Sequence, residues 1–225
     1  MNSSIKYLFA IFLTLPIAIY SQDFFEGEIH YKIDYEIINK NIPDEFLEIQ
    51  MGTSFDAFVK EDKYIMIYDT KGEFGTKKII VRLDEGFSYL IYEKSDTIYK
   101  SPLNKENNKL LSLKKVTNQK KEVLGEMCDY VTLDYEISDP NTYFKMVKGK
   151  HFFSPKYKLN AKKYENHLSG FWNQYVDKSN AISIRNEHEY EGFFKSVSYA
   201  TKITKEKISD TLFIIDNTKS IKIIE

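Results

Sequence analysis

The sequence contains little cysteine, proline, glycine and tryptophan. Its 225 residues include 1 Cys, 5 Pro, 9 Gly and 1 Trp. The lone cysteine, Cys128, excludes an intramolecular disulfide, so we expect a buried thiol in a fold that is stabilised by its core. Hydrophobic residues make up 42% of the chain, which excludes a collagen-like or fully disordered protein. The length predicts one or two domains.

Neither sign of charge is in excess. Lys and Arg number 32 against 33 Asp and Glu, and the formal net charge is -1. Because nucleic-acid binding depends on a basic surface, we expect no nucleic-acid partner. Lysine and asparagine do concentrate at 102–122, which we interpret as a surface excursion from the sheet. A solvated loop is the first interpretation of it, and contact with anionic head groups is the second.

The residues that usually carry catalysis or bind metals form no motif. No GxSxG, glycine-rich phosphate loop, SxxK set or CxxC occurs. The histidines lack the i, i+4 spacing of a helical zinc site; they are His30, His151, His167 and His188. We therefore expect a protein that is not an enzyme and that has no cofactor and no metal site.

Residues 1–21 have the pattern of an export signal. A positive charge precedes a short apolar run that Pro16 interrupts. This pattern predicts a secretory signal peptide with cleavage between Ser21 and Gln22. The alternative, a retained membrane anchor, needs about 20 apolar residues. We expect an exported protein, periplasmic or secreted, with one domain over 22–225 and no transmembrane span.

Alternation of apolar and polar residues dominates the rest of the chain. From Phe25 to Ile37, apolar residues and a glycine hold the odd positions and polar residues hold the even ones. Successive side chains of a strand point to opposite faces, so this pattern predicts a long strand with one wet face. Similar runs between turn residues predict further strands. They lie near 54–60, 63–69, 77–83, 87–93, 97–101, 131–137 and 142–153, with a hairpin over 182–203.

One helix is clear. Tyr164, Leu168, Phe171 and Tyr175 fall at i, i+4, i+7 and i+11, on one face of a helix that Asn160 can cap. The predicted fold is mainly β: a single strongly curved antiparallel sheet, or half-open β-barrel, with one or two helices on its concave side. A second short helix would lie around 46–50.

The concave face is the candidate functional surface. A long sheet curls, and one helix covers only part of its hollow. Either the aromatic side chains fill the hollow as a core, or they line a cavity of about 300 Å³ or more that takes an apolar ligand. The candidate lining residues are Ile29, Tyr31, Ile33, Tyr35, Met66, Leu133, Tyr135, Phe171, Trp172 and His188.

His188 is the unusual member of this set. Together with Asn186 it lies on a strand face that is otherwise apolar. A buried polar group without a partner costs about 2 kcal/mol or more. The two side chains therefore either pair within the core or face a cavity. An enzymatic role would require a carboxylate within hydrogen-bonding reach of His188.

Four segments resemble one family of bacterial exported proteins. They read FEGEIHYKIDYE, KEVLGEMCDYVTLDYE, HFFSPKY and SYATKITKEKISDTLF. In this order they are similar to proteins related to the outer-membrane lipoprotein carrier, the LolA-like family. The resemblance covers Phe24 to Phe213 and implies a half-open barrel whose cavity holds acyl chains. It implies a cavity arginine as well, but the chain has only Arg82 and Arg185, and Arg185 falls on a polar face.

These observations favour an envelope protein that binds an apolar or acyl-chain ligand in a concave cavity, as a lipid or lipoprotein carrier does. Such a protein would act by burial alone and would have an envelope protein as a further partner. The alternative is a structural or interaction module of the cell envelope, with a self-filled core and no ligand.

Overall fold

The alternating segments form one sheet that does not close. The structure is a computed structural model that describes residues 24–43 and 45–224, so the predicted signal segment and its cleavage between Ser21 and Gln22 lie outside the described residues. The 12-stranded sheet has the order β12-β6-β5-β4-β3-β2-β1-β11-β10-β9-β8-β7. Its strands are β1 Gly27–Ile37, β2 Ser54–Val59, β3 Lys63–Tyr68, β4 Lys77–Arg82, β5 Phe87–Tyr92, β6 Thr97–Pro102, β7 Lys109–Val123, β8 Glu126–Glu136, β9 Met146–Lys158, β10 Ala181–Tyr190, β11 Phe194–Lys205 and β12 Ser220–Ile223.

The strands pair antiparallel with one exception. The last strand, β12, pairs parallel with β6, from Ser220 opposite Thr97 to Ile223 opposite Lys100. The predicted antiparallel sheet is therefore confirmed except at this edge, where a parallel strand is added. Parallel neighbours need a long connection, and residues 103–219, which include β7 to β11, connect β6 to β12.

The Lys- and Asn-rich segment is mostly a strand rather than a loop. The prediction of a surface excursion over 102–122 is wrong for β7, which pairs along β8 from Lys109–Glu136 to Val123–Glu126. Its lysines are exposed because β7 is an edge of the sheet, where charged side chains prevent pairing with another chain. The β7–β8 turn has positive φ at Leu124 and Gly125. Its Leu-Gly sequence lacks the usual Asn-Gly signal, so alternation alone could not reveal the hairpin.

The helical segment is broken in the middle. One continuous helix over 164–175 was expected, but α2 spans Ala161–Tyr164 and α3 spans Trp172–Ser179, with a 3-10 turn at Ser169–Phe171 between them. Gly170 and Phe171 both have positive φ, which a continuous helix cannot contain. Asn160 does cap α2, since its side chain accepts a hydrogen bond from the backbone of Lys162.

Apolar clusters form on both faces of the sheet. The larger cluster packs the concave face against α2 and α3, and includes fully buried Cys128, as predicted. The smaller cluster lies on the opposite face of β3–β6, where Ile65 and Ile80 pack against Phe213 of the 3-10 helix Asp210–Phe213. The short helix α1, Phe46–Met51, lies between β1 and β2 near its predicted position. Among the described residues, no helix has the length and apolarity that crossing a bilayer requires.

Phe213 should anchor the C-terminal segment to the outer face of the sheet. Its side chain is 1% exposed, whereas that of the neighbouring Leu212 is 36% exposed. We expect Phe213→Ala to lower the free energy of unfolding by about 3 kcal/mol or more, because it leaves a cavity under the segment. The control, Leu212→Ala, should cost less than about 1 kcal/mol. Equal effects of the two substitutions in urea unfolding would contradict this role.

Candidate functional site

The concave side of the sheet contains a cavity of about 390 Å³. This volume lies above about 300 Å³, the lower end of the size range of small-molecule sites. The hollow is therefore not completely filled by the protein's own side chains. Its wall consists of Tyr31, Ile33, Tyr35, Met51, Phe55, Ala57, Val59, Tyr64, Met66, Tyr68, Lys77, Leu133, Tyr135, His151, Leu159, Tyr164, Gly170, Trp172, Tyr175, Ile182, Ser183, Asn186, His188, Tyr190, Ser196 and Ser198.

Stacked aromatic rings form one side of the wall. The ring of Tyr31 on β1 stacks on that of Phe55 on β2 with centroids 4.4 Å apart, and Phe55 stacks on Tyr68 of β3 at 4.8 Å. The three positions are cross-strand partners, so register places their rings in one row. The row presents a continuous apolar surface to the cavity.

Three of the eight tyrosine hydroxyls in this wall form hydrogen bonds to oxygen or nitrogen atoms of the described residues. Tyr31 donates to the carbonyl oxygen of Ser183 at 2.7 Å, and Tyr35 donates to that of Gly52 at 2.8 Å. The hydroxyl of Tyr64 is 3.0 Å from Nε2 of His167. Burial raises the pKa of all three phenols, so they remain neutral. These three hydroxyls are engaged by the protein, whereas the buried hydroxyl of Tyr175 has no hydrogen-bond partner among the described residues.

A broken helix covers part of the hollow. Trp172 packs edge-on against Tyr175 with centroids 5.2 Å apart, and both rings belong to the wall. Two backbone N–H groups before α3, those of Leu168 and Ser169, donate to the carbonyl oxygen of Leu103. These bonds tie the cover to the loop after β6. Since α3 has only 8 residues, it leaves the rest of the concave face open.

A polar cluster interrupts the apolar wall at β9–β11. Nδ1 of His151 lies 2.8 Å from Oδ1 of Asn186, and Oγ of Ser183 is 2.6 Å from the same oxygen. The amide nitrogen of Asn186 donates to Oγ of Ser198 at 3.1 Å. An amide oxygen only accepts, so neutral His151 carries its proton on Nδ1. The sequence left open whether Asn186 pairs within the core or faces a cavity without a partner. The structure shows that its side chain is paired.

His188, in contrast, faces the cavity, which was the other possibility for this strand face. It lies opposite Gly149 in the β9–β10 register, and its ring is 5.1 Å from that of His151. Burial lowers the pKa of His151 to about 4. Burial, together with the charge of a protonated His151, lowers the pKa of His188 to about 3. Both rings are neutral near pH 7. Within the described wall no carboxylate accompanies them.

Lys77 is the charged residue of the described wall. It begins β4, and its Nζ lies 4.1 Å from the ring centroid of Tyr68. Burial lowers its pKa. Strand alternation turns Lys77 and the apolar Ile79 toward the cavity side, while Lys78 points to the outer face. Within 24–43 and 45–224, Lys77 forms no ion pair.

Most of the residues proposed from the sequence meet at this cavity. Two of the ten do not line it: Ile29 is 0% exposed within the concave core, and Phe171 is buried at 6% against the ring of Tyr135. Phe171 turns away because its left-handed backbone breaks the expected helix face. Ligand binding by the lining residues stays a prediction. Those in the wall are Tyr31, Ile33, Tyr35, Met66, Leu133, Tyr135, Trp172 and His188.

Sequence reasoning missed most of the wall contributed by β2–β4, from which Met66 was the one candidate. Alternation across Phe55, Ala57 and Val59 assigns these three side chains to one face, and that signal was present in the sequence. Nothing in the sequence marked Lys77, since it precedes another lysine and follows a loop. Its place in the wall is set by the register of β3 and β4, in which Lys77 pairs with Tyr68.

Comparison with solved structures finds distant structural neighbours. No family model and no curated protein matches the chain. An uncharacterized conserved protein of Thermus thermophilus is 7% identical with a TM-score of 0.43, over 87% of this chain and 91% of that one. A LolA superfamily protein of Nitrosomonas europaea is 11% identical with a TM-score of 0.37, over 87% and 92%. A domain of Vibrio parahaemolyticus named for outer-membrane lipoprotein sorting is 10% identical with a TM-score of 0.33, over 83% and 89%.

The buried histidines predict that acid destabilises the fold. In the unfolded chain a histidine binds a proton below its ordinary pKa of 6.5, whereas in the fold His151 stays neutral down to about pH 4. The unfolded state thus binds more protons in this window, so stability falls as pH falls. Between pH 7 and 5 His151 alone should cost about 2 kcal/mol of unfolding free energy.

Urea unfolding at a series of pH values measures this loss. His188→Gln removes one of the buried titrating groups and should make the dependence on pH shallower. The same dependence in His188→Gln and the unaltered protein would show that these side chains do not titrate as proposed.

Proposed function

We propose that this protein binds a ligand with an apolar chain, such as an acyl chain, in the concave cavity. The observation that carries the proposal is the unfilled volume of about 390 Å³ behind a wall of aromatic and aliphatic side chains. A structural module with a self-filled core would leave no such volume. Concave apolar pockets of this size with a few polar groups are where proteins commonly bind small molecules.

Binding would proceed by burial without a covalent step. Each methylene group removed from water contributes about 0.8 kcal/mol. A catalytic role for His188 would need a carboxylate beside it, and the wall drawn from the described residues has no Asp or Glu. Nor does the described part of the chain hold a cluster of three or more potential metal ligands.

The proposal places this binder outside the cytoplasm. Residues 1–21 are the support for export to the envelope or beyond. There the protein would shelter a lipid, or the lipid part of a lipoprotein, from water, with an envelope protein as donor or acceptor. Native mass spectrometry of protein isolated from the cells that make it identifies the cargo by mass. A bound lipid supports the proposal.

The single tryptophan allows binding to be measured without a label. Trp172 is the only Trp of the chain and lines the cavity. We expect its emission to change when saturated fatty acids are added below their micelle concentration. Affinity should rise about fourfold per added methylene until the chain outgrows the cavity. An affinity that does not depend on chain length, or no change with any chain, would refute burial as the mode of binding.

A charge placed in the wall should abolish this binding. Ile33→Glu puts a carboxylate into the apolar cavity, where an unpaired charge opposes an acyl chain. Ile221→Glu is the matched control, because Ile221 is 51% exposed on β12, outside the wall. We expect at least a tenfold weaker affinity for the first variant and an unchanged one for the second, by Trp172 titration. Circular dichroism verifies that both are folded; undiminished binding by folded Ile33→Glu would remove this face from the site.

A further inference from the structure

We infer that the ligand carries an anionic head group, and that Lys77 is the residue that selects it. This inference rests on the proposed function and specifies its ligand: an amphiphile with an apolar chain and a carboxylate or phosphate at one end. The structural basis is a cation in the cavity wall that lacks a counter-ion among the described residues.

The charge balance of the wall points to an anion. The described wall contains one ammonium group, two neutral histidines and no carboxylate. Lys195 on β11, by contrast, pairs with Glu36 at 3.1 Å. Within the described residues, Nζ of Lys77 contacts the face of Tyr68, 4.1 Å from the ring centroid, and no carboxylate. An aromatic face attracts a cation but does not neutralise it.

The position of Lys77 suits a head group rather than the chain end. It is the first residue of β4, directly after the loop at 69–76, and its side chain is only partly buried. From there the row of Tyr68, Phe55 and Tyr31 leads into the apolar wall. A ligand whose anion meets Nζ can therefore lay its chain along these rings. The ammonium keeps contact with water while its partner is bound.

Partial burial strengthens the selection. An ion pair in bulk water is worth little, whereas the same pair beside an apolar wall is screened less. Hydrogen bonds to charged groups are worth roughly twice those between neutral groups. A neutral amphiphile of the same chain length does not form this contact and leaves Lys77 without a partner. The anionic amphiphile should therefore bind about tenfold more tightly than the neutral one.

Three ligands with the same twelve-carbon chain test the inference by titration against Trp172 emission at pH 7.5. Dodecanoate and dodecyl phosphate are used below their micelle concentrations, and dodecanol is used below its solubility limit. We expect both anions to bind about tenfold more tightly than the alcohol, and the preference to shrink at high salt. The relative affinity of the two anions distinguishes a fatty acid from a phosphate-bearing lipid as the natural class.

Lys77→Gln should bind all three ligands equally, and Lys77→Arg should retain the preference for anions. Lys78→Gln is the matched control, since it removes the same charge one residue away on the outer face of β4. Equal binding of the three ligands by the unaltered protein, or a preference that survives in Lys77→Gln, would overturn the role of Lys77 while leaving the cavity as a binding site. Failure of all three ligands to bind would instead overturn the proposed function on which the inference rests.

Discussion

The structure depends on a mismatch between a long curved sheet and a short helical cover. Twelve strands present an extended apolar concave face, and such a face must be shielded from water. Among the described residues, α2 and α3 cover this face, with Met51 of α1 at the cavity wall. The positive φ angles at Gly170 and Phe171 prevent α2 and α3 from forming one long helix. Part of the face is therefore covered and part borders a cavity. The candidate site is the uncovered remainder of the core.

An apolar hollow of this kind needs a rigid wall, because side chains would otherwise collapse into it. Hydrogen bonding between strands fixes the backbone of the wall, and the tyrosine hydroxyls fix several of its rings. Tyr31 bonds to the backbone of β10, and Tyr35 bonds to the backbone of Gly52 beyond α1. Asn186 holds His151, Ser183 and Ser198 in one network. Satisfied polar groups of this sort tend to fix one packing arrangement.

The sequence predicted strands well where one face is wet, because alternation then reports burial directly. β1–β6, β8 and the β10–β11 hairpin follow from that signal and from their turn residues. Prediction failed where other forces decide. β7 is an exposed edge strand, so its sequence lacks the alternation of apolar and polar residues. The helix is interrupted by the positive φ angles at Gly170 and Phe171, which the spacing of apolar residues does not reveal. The same holds for the cavity wall. The alternation within β1 predicted Ile33 and Tyr35, whereas the position of Lys77 depends on the register between β3 and β4, which the sequence does not reveal.

Two separable terms would then govern recognition at this cavity. Burial of the chain scales with its length and is indifferent to the head group, because the ring faces of the wall distinguish no particular apolar chain. The contact with Lys77 depends on the sign of the head group's charge and is indifferent to the chain. The neutral histidines at the opposite part of the wall, His151 and His188, add no competing charge near pH 7. A cavity of modest volume can therefore combine an affinity that depends on chain length with selectivity for an anion, since each property resides in a different part of its wall.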